Sequence, residues 1–248
     1  MAKAQQKKDR LDRIVVERNL AKDIAKAQAI IMAGRVLVDS ITITKPGTPI
    51  KKTSNIEIKK TNPYVSRGGL KLESAMNVFK ISCKGKVCMD IGSSTGGFTD
   101  YMLQHGAKKV YAVDVGKNLL DYKLINDPRV VNIENTNFRY FSSEILKENI
   151  EFVTIDVSFI SLEKILPVAA KNIALGGSIV AMVKPQFEAL SKETVKGVVK
   201  DESLRSKIIE KIKQFAINLG LEIKGSTDSG VKGPEGNIEH FLWLHKIK

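Results

Sequence analysis

The stretch from Val87 to Thr99, Val-Cys-Met-Asp-Ile-Gly-Ser-Ser-Thr-Gly-Gly-Phe-Thr, restricts the fold of this chain more than any other. An apolar run closes on Asp90, a turn of small residues carries Gly92, Gly96 and Gly97, and an amphipathic segment starts at Phe98. Strand, glycine turn and helix is the way an α/β fold aims backbone N–H groups of a helix N-terminus at a ligand. Glycine permits close approach there because no Cβ fills the space.

Downstream, short apolar runs at 87–91, 110–115, 130–133, 152–156 and 178–183 alternate with helical spacing, the pattern of a parallel sheet covered by helices. A long helix at about 202–219 and two further strands at 221–226 and 239–245 complete the expectation of seven strands. Ahead of the first strand, Gly68 and Gly69 precede a predicted helix over 70–79, with Lys71 in its first turn.

Charge divides the chain. Its 248 residues carry a net charge of +13, and residues 1–60 alone account for +8. That imbalance favours a polyanionic partner such as nucleic acid, with a basic module at the front. In this module Leu11, Ile14, Val15 and Arg18 recur at helical spacing, Asp23 is placed to cap a second helix to Met32, and Gly34 stops it. Short strands are expected at 36–38, 41–43 and 56–58. Two helices and small strands bearing Arg10, Arg13, Arg18, Lys22, Lys26, Arg35 and Lys45 resemble an S4-type RNA-binding domain. Two positions depart from that pattern: Asp23-Ile24 opens the second helix in place of Ser-Arg, and Asp39-Ser40 replaces Asn-Gly in the first hairpin turn. The expected division is an S4-like domain over 1–60, a linker over 61–66 and a catalytic domain over 67–248.

Several function classes lose ground. Cys83 and Cys88 are the only cysteines and form no metal-binding spacing, which suits a reducing cytoplasm. His105, His240 and His245 show no metal-ligand spacing, so no metal site is expected. The polar N-terminus lacks an apolar signal region, and the apolar stretch at 173–183 is too short to span a bilayer, so a cytoplasmic protein without a membrane segment is expected. No protein partner is predicted.

Asp114 ends the second strand of the predicted sheet, where an acid accepts hydrogen bonds from ribose hydroxyls of a bound nucleoside. The glycines and this acid suit NAD or S-adenosylmethionine alike. Asp90, an acid beside the glycine turn, favours the methyltransferase reading, although it could also cap the following helix. No Gly-Lys-Ser/Thr follows, which excludes a P-loop. Asp156 and Lys184 close the fourth and fifth strands, at the carboxyl edge where open α/β sheets bind ligands. Pro185 keeps Lys184 on extended backbone. Glu239 opens the last strand.

Six segments carry a resemblance: Ser66-Arg-Gly-Gly-Leu-Lys71-Leu, Asp90-Ile-Gly-Ser-Ser-Thr-Gly-Gly-Phe-Thr, Asp156-Val-Ser-Phe-Ile-Ser, Val183-Lys184-Pro-Gln-Phe-Glu, Gly197-Val-Val-Lys-Asp and Gly233-Pro-Glu-Gly-Asn-Ile-Glu239. On them the chain resembles the haemolysin-A-like TlyA family, which joins an S4 domain to an FtsJ/RrmJ-type RNA methyltransferase domain. The resemblance implies a Rossmann-like class I methyltransferase with a mostly parallel seven-stranded sheet, S-adenosylmethionine as donor, and 2′-O-methylation of ribose in ribosomal RNA or ribosomal subunits. It implies a catalytic tetrad of Lys71, Asp156, Lys184 and Glu239.

In that reading Lys184 takes the proton of the 2′-hydroxyl or stabilises the alkoxide, and Asp156 orients it. Lys71 supplies a nearby cation, and Glu239 holds Lys71 or the ribose. Gly92, Ser93, Gly96 and Gly97 would lie near the amino-acid part of the donor, with Asp90, Ser94, Thr95, Phe98 and Thr99 completing the turn. Asp114 and Val115 would meet its ribose, and Asn137 its adenine. Arg67 joins the RNA-binding set. The alternatives left open are a non-catalytic RNA-binding or ribosome-assembly factor and a membrane-active haemolysin.

Overall fold

The structure, a computed structural model, describes residues 7–59, 62–190, 193–233 and 236–248. Residues 1–6 and Lys60 of the expected first domain, Thr61 of the expected linker, and Pro234 and Glu235 of the C-terminal motif lie outside these residues. Two units divide the chain at 61/62.

In the first unit, strand β1 (Lys8–Arg10) leads into helices α1 (Leu11–Glu17) and α2 (Ile24–Met32). Strands β2 (Val36–Val38), β3 (Ile41–Ile43), β4 (Pro49–Lys51) and β5 (Ile56–Ile58) follow. Leu11, Ile14 and Val15 of α1 bury against Ala27, Ile30 and Ile31 of α2 and against Val36 and Val38. Asp23 caps α2, its carboxylate accepting the Lys26 N–H at 2.7 Å. β3, β2 and β5 pair antiparallel, and Asp39 and Ser40 turn the β2–β3 hairpin with positive φ at both positions. The pairing of β1 with β4 is not foreseen in the sequence, because three-residue strands rich in charge carry no alternation to read.

The second unit holds helix α3 (Arg67–Phe79), then β6 (Val87–Ile91), α4 (Gly97–Gln104), β7 (Lys109–Val113), α5 (Tyr122–Ile125), β8 (Val130–Ile133) and β9 (Ile150–Ile155). It continues through α6 (Leu166–Asn172), β10 (Ile173–Val183), α7 (Pro185–Glu188), α8 (Glu202–Asn218), β11 (Leu221–Asp228) and β12 (His240–Lys246). The sheet order is β11-β12-β10-β9-β6-β7-β8, and only β12 runs against the others. The predicted mostly parallel seven-stranded sheet is present.

Alternate residues feed two cores. Met89, Ile91, Val153, Ile155 and Ile179 face Leu166 of α6 and Ile212 of α8, whereas Cys88, Phe152, Val180 and Met182 face Leu72 of α3 and Met102 of α4. Burial on both faces is why these strands read as continuous apolar runs. From β6 the chain steps outward through β7 to β8, then returns to β9 on the other side of β6 and continues to β10. The switch point therefore lies between the carboxyl ends of β6 and β9, the position where open α/β sheets leave a crevice.

Three boundaries differ from the sequence reading. α3 starts at Arg67 and absorbs both glycines, which puts Lys71 in its second turn. Glycine is required there by packing, since a Cβ on Gly69 would lie 2.2 Å from the Tyr64 ring and one on Gly97 would lie 3.0 Å from the Gly68 Cα. Residues 62–66, expected as linker, pack on this unit instead. Tyr64 is buried with its ring 5.5 Å from that of Tyr101, and the Val65 N–H donates to Asp100. β10 extends back to Ile173 across Gly176 and Gly177, with a register shift before Ser178.

Candidate active site

The glycine turn after β6 is folded by its neighbours. Gly92 has φ +82°, and a Cβ there would meet the Asp156 carbonyl oxygen at 2.5 Å, so only glycine lets β6 and β9 end side by side. Gly96, at φ +92°, precedes α4 with no side-chain cap, leaving the helix start at Gly97 and Phe98 open to the crevice.

Asp90 is fully buried under that turn. Its carboxylate accepts from Thr99 Oγ1 at 2.7 Å and from Thr154 Oγ1 at 3.0 Å. It does not occupy the cap position, which belongs to Gly96; Asp90 lines the floor of the crevice. Burial pushes its pKa up to about 7, against the lowering effect of the two threonine hydroxyls.

Above the floor the crevice has two lobes that share Gly92, Ser94, Asp156 and Ser158. One, of about 320 Å³, is polar and is walled by Lys71, Ser93, Thr95, Asp156 and Lys184 among others. The other, of about 280 Å³, is walled by Ile91, Val113, Val115, Phe138 and Ile165, with Asp114, Thr136 and Asn137 at its edge. Asp114 lies just beyond β7 and accepts the Ser94 and Gly116 N–H groups, both at 2.8 Å, tying the glycine turn to the next loop. Asn137 is exposed and accepts the Arg139 N–H at 3.1 Å.

Two ion pairs define the polar lobe. Lys184, only 8% exposed, stands on extended backbone before Pro185; its Nζ lies 2.6 Å from Asp156 Oδ1 and donates to Ser158 Oγ at 3.0 Å. Lys71 Nζ lies 2.6 Å from Glu239 Oε2. Lys71, Asp156 and Lys184 wall the lobe, and Glu239 stands behind Lys71, almost fully buried. Of the two roles expected for Glu239, holding Lys71 or holding the ribose, the ion pair is the one present, and it neutralises the Lys71 ammonium. Among the described residues, Glu239 Oε1 is buried without a hydrogen-bond partner.

Residues not singled out in the sequence complete the site. Ser158 holds Lys184, and its position two residues after Asp156 was the available signal. Thr154 reaches Asp90 because the two are paired across β9 and β6, a fact that only the strand order supplies. Lys232 lines the polar lobe and had no sequence signal.

The RNA-binding candidates separate by place. Arg67 is exposed at the wall of the polar lobe. In the first unit Arg10 folds onto Asp12 at 2.6 and 3.0 Å, and Arg18 donates to the carbonyls of Lys52 and Ser54 at 2.6 and 2.8 Å. Both guanidinium groups are thus engaged in the fold. Arg13, Lys22, Lys26 and Lys45 are exposed, and Arg35 is half-buried.

An apolar lobe edged by a few polar groups and joined to a polar lobe with paired charges is the form of a ligand-binding crevice. The profile of the FtsJ-like methyltransferase family matches residues 64–246, and the S4 domain profile matches residues 9–56. The chain belongs to the FtsJ-like methyltransferase family. It is 46% identical over 238 residues to Hemolysin A of Brachyspira hyodysenteriae, covering 94% of this chain and 99% of that protein. It is 39% identical over 238 residues to the 16S/23S rRNA (cytidine-2′-O)-methyltransferase TlyA of Mycobacterium tuberculosis (strain ATCC 25618 / H37Rv), covering 95% and 89%. A solved structure of a candidate hemolysin from Streptococcus thermophilus superposes with a TM-score of 0.75 at 43% identity, covering 97% of this chain and 89% of that one. Among the described residues no helix is long and apolar enough to cross a membrane.

Proposed function

We propose that the crevice transfers a methyl group from S-adenosylmethionine to a ribose 2′-hydroxyl of ribosomal RNA. The observation that carries this reading is the ion pair between buried Lys184 and half-buried Asp156, 2.6 Å long, at the junction of the two lobes.

The residues present fit the donor. The apolar lobe suits a purine, with Asn137 at its edge, and Asp114 is an acceptor for ribose hydroxyls. Asp90 and the open start of α4 lie beneath the region left for the amino-acid end. When bound, the donor supplies a methyl group on a cationic sulfonium.

The protein's part is positioning and charge. A 2′-hydroxyl is a poor nucleophile until its proton is removed or shared. Lys184, held by Asp156 and Ser158, stands where its ammonium can donate to and stabilise the developing alkoxide, or where, once it has given up a proton to solvent, the neutral amine can take the proton of the hydroxyl. Its two partners fix the ammonium, so the hydroxyl meets a preset geometry and attacks in line. Lys71, braced by Glu239, lines the same lobe. The basic S4 unit gives salt-sensitive affinity for RNA, with phosphate contacts setting position. The substrate puts the enzyme in the cytoplasm.

The test is incubation with tritiated S-adenosylmethionine and unmodified small or large ribosomal subunits. The reading expects label in alkali-resistant dinucleotides, the signature of a 2′-O-methyl group. Donor binding without label on any RNA would make the chain a non-catalytic RNA-binding factor.

A further inference from the structure

One face of α3 fastens the loop that joins β11 to β12. Arg67, Lys71 and Ser74 stand at i, i+4 and i+7, so they project from the same side of the helix. The Arg67 guanidinium donates to the Lys232 carbonyl at 2.9 Å, Lys71 pairs with Glu239 at 2.6 Å, and Ser74 Oγ accepts the Gly230 N–H at 3.1 Å. These contacts hold the Lys232 backbone at the wall of the polar lobe, together with Arg67.

The cations in this wall are not equivalent. Lys71 is neutralised by Glu239 and Lys184 by Asp156. Arg67 and Lys232 are exposed and form no ion pair among the described residues. Two uncompensated cations beside two neutral pairs leave this part of the wall with a net positive charge.

Resting on the reading of this crevice as a ribose 2′-O-methyltransferase site, we infer that Arg67 and Lys232 grip the phosphodiester on the 3′ side of the target ribose. The 2′-oxygen and the 3′-oxygen of a nucleotide sit on adjacent ring carbons. A 2′-hydroxyl delivered to Lys184 therefore brings a phosphate in beside it, close to the carboxylates of Asp156 and Glu239. The two neutral ion pairs offer that phosphate no net attraction, whereas the uncompensated cations Arg67 and Lys232 balance its charge and fix the ribose. Among the described residues Arg67 uses one guanidinium nitrogen, on the Lys232 carbonyl, so the remaining N–H donors are available to phosphate oxygens. Lys232 adds a point charge on a flexible stem. The contact reads position rather than sequence. Both are positioning residues: they place the hydroxyl and take no part in proton transfer.

Lys232→Gln is the cleaner test, because the latch to Arg67 runs through the Lys232 backbone and survives the change. Steady-state methylation of unmodified ribosomal RNA is measured across a salt series, with donor affinity followed by calorimetry. The inference expects KM for RNA to rise about tenfold with kcat within about twofold. The slope of log kcat/KM against log salt should shrink by about 0.7–0.9, the loss of one phosphate contact. Donor affinity should be unchanged, and Lys232→Arg should restore the wild-type values. An active wild-type enzyme whose Lys232→Gln variant keeps its KM and salt slope would overturn the inference and leave the methyltransferase reading standing. Weakened donor binding in Lys232→Gln would also overturn it, by assigning this cation to the donor's carboxylate. A wild-type protein that methylates no RNA would remove both.

Discussion

In the polar lobe of the crevice the carboxylates of Asp156 and Glu239 each meet an ammonium at 2.6 Å, whereas the apolar lobe a few residues away is walled by Ile91, Val113, Phe138 and Ile165 and adds only Asp114 to the Asp156 that both lobes share. The difference follows from where each lobe sits on the sheet. The apolar lobe lies over the ends of β6 and β7, strands whose side chains are committed to the core. The polar lobe lies where β9, β10 and the segment before β12 end in charged residues that are buried only as ion pairs. One lobe recognises by shape and burial and the other acts by charge, and substitutions should separate binding from turnover accordingly.

The largest expected effect is on turnover. Asp156→Asn removes the charge that orients Lys184, and kcat should fall about 100-fold or more in single-turnover assays, within the usual range for acid–base and positioning groups. Glu239→Ala strands Lys71 in a nearly buried setting, and chemical denaturation should read a loss of about 3 kcal/mol alongside the loss of activity. Asp114→Asn should act on the other lobe, weakening donor affinity about tenfold by calorimetry while KM for RNA stays within about twofold. A variant of the apolar lobe that altered kcat alone would break the division.

The smallest effect is a pH dependence through Asp90. Its pKa stands raised, from the ordinary 3.8 to about 7, so between these values the folded chain holds a proton that the unfolded chain has released. This group's contribution to stability therefore falls as pH rises from about 4 to about 7 and levels off above it. A cationic donor favours the ionised carboxylate, so donor affinity should rise a few-fold with pH through about 7 and then flatten. Asp90→Asn should abolish both slopes; calorimetry and thermal melts between pH 5 and 8 check them.

The strand, glycine turn and helix from Val87 onward were legible because local chemistry and tertiary role agree there. Strand-end charges at Asp156 and Lys184 were legible for a related reason, since a parallel sheet offers charged groups little place except its carboxyl edge. The start of α3 was not. Gly68 and Gly69 read as preceding the helix, but contact with Tyr64 and Gly97 selects glycine inside it. Arg10 and Arg18 read as RNA-binding residues, and the fold employs them on Asp12 and on the carbonyls of Lys52 and Ser54. Thr154 and Lys232 depend on strand order and loop docking, which no local pattern encodes.

The account turns on Lys184. Methyl transfer from tritiated donor to unmodified ribosomal subunits, measured for wild type and Lys184→Ala with donor and RNA affinities determined separately, tests it most directly. The prediction is a fall of about 100-fold or more in the rate of 2′-O-methyl formation with both affinities within about threefold of wild type. Near-normal turnover by Lys184→Ala would contradict the assignment of this ion pair as the centre of the reaction.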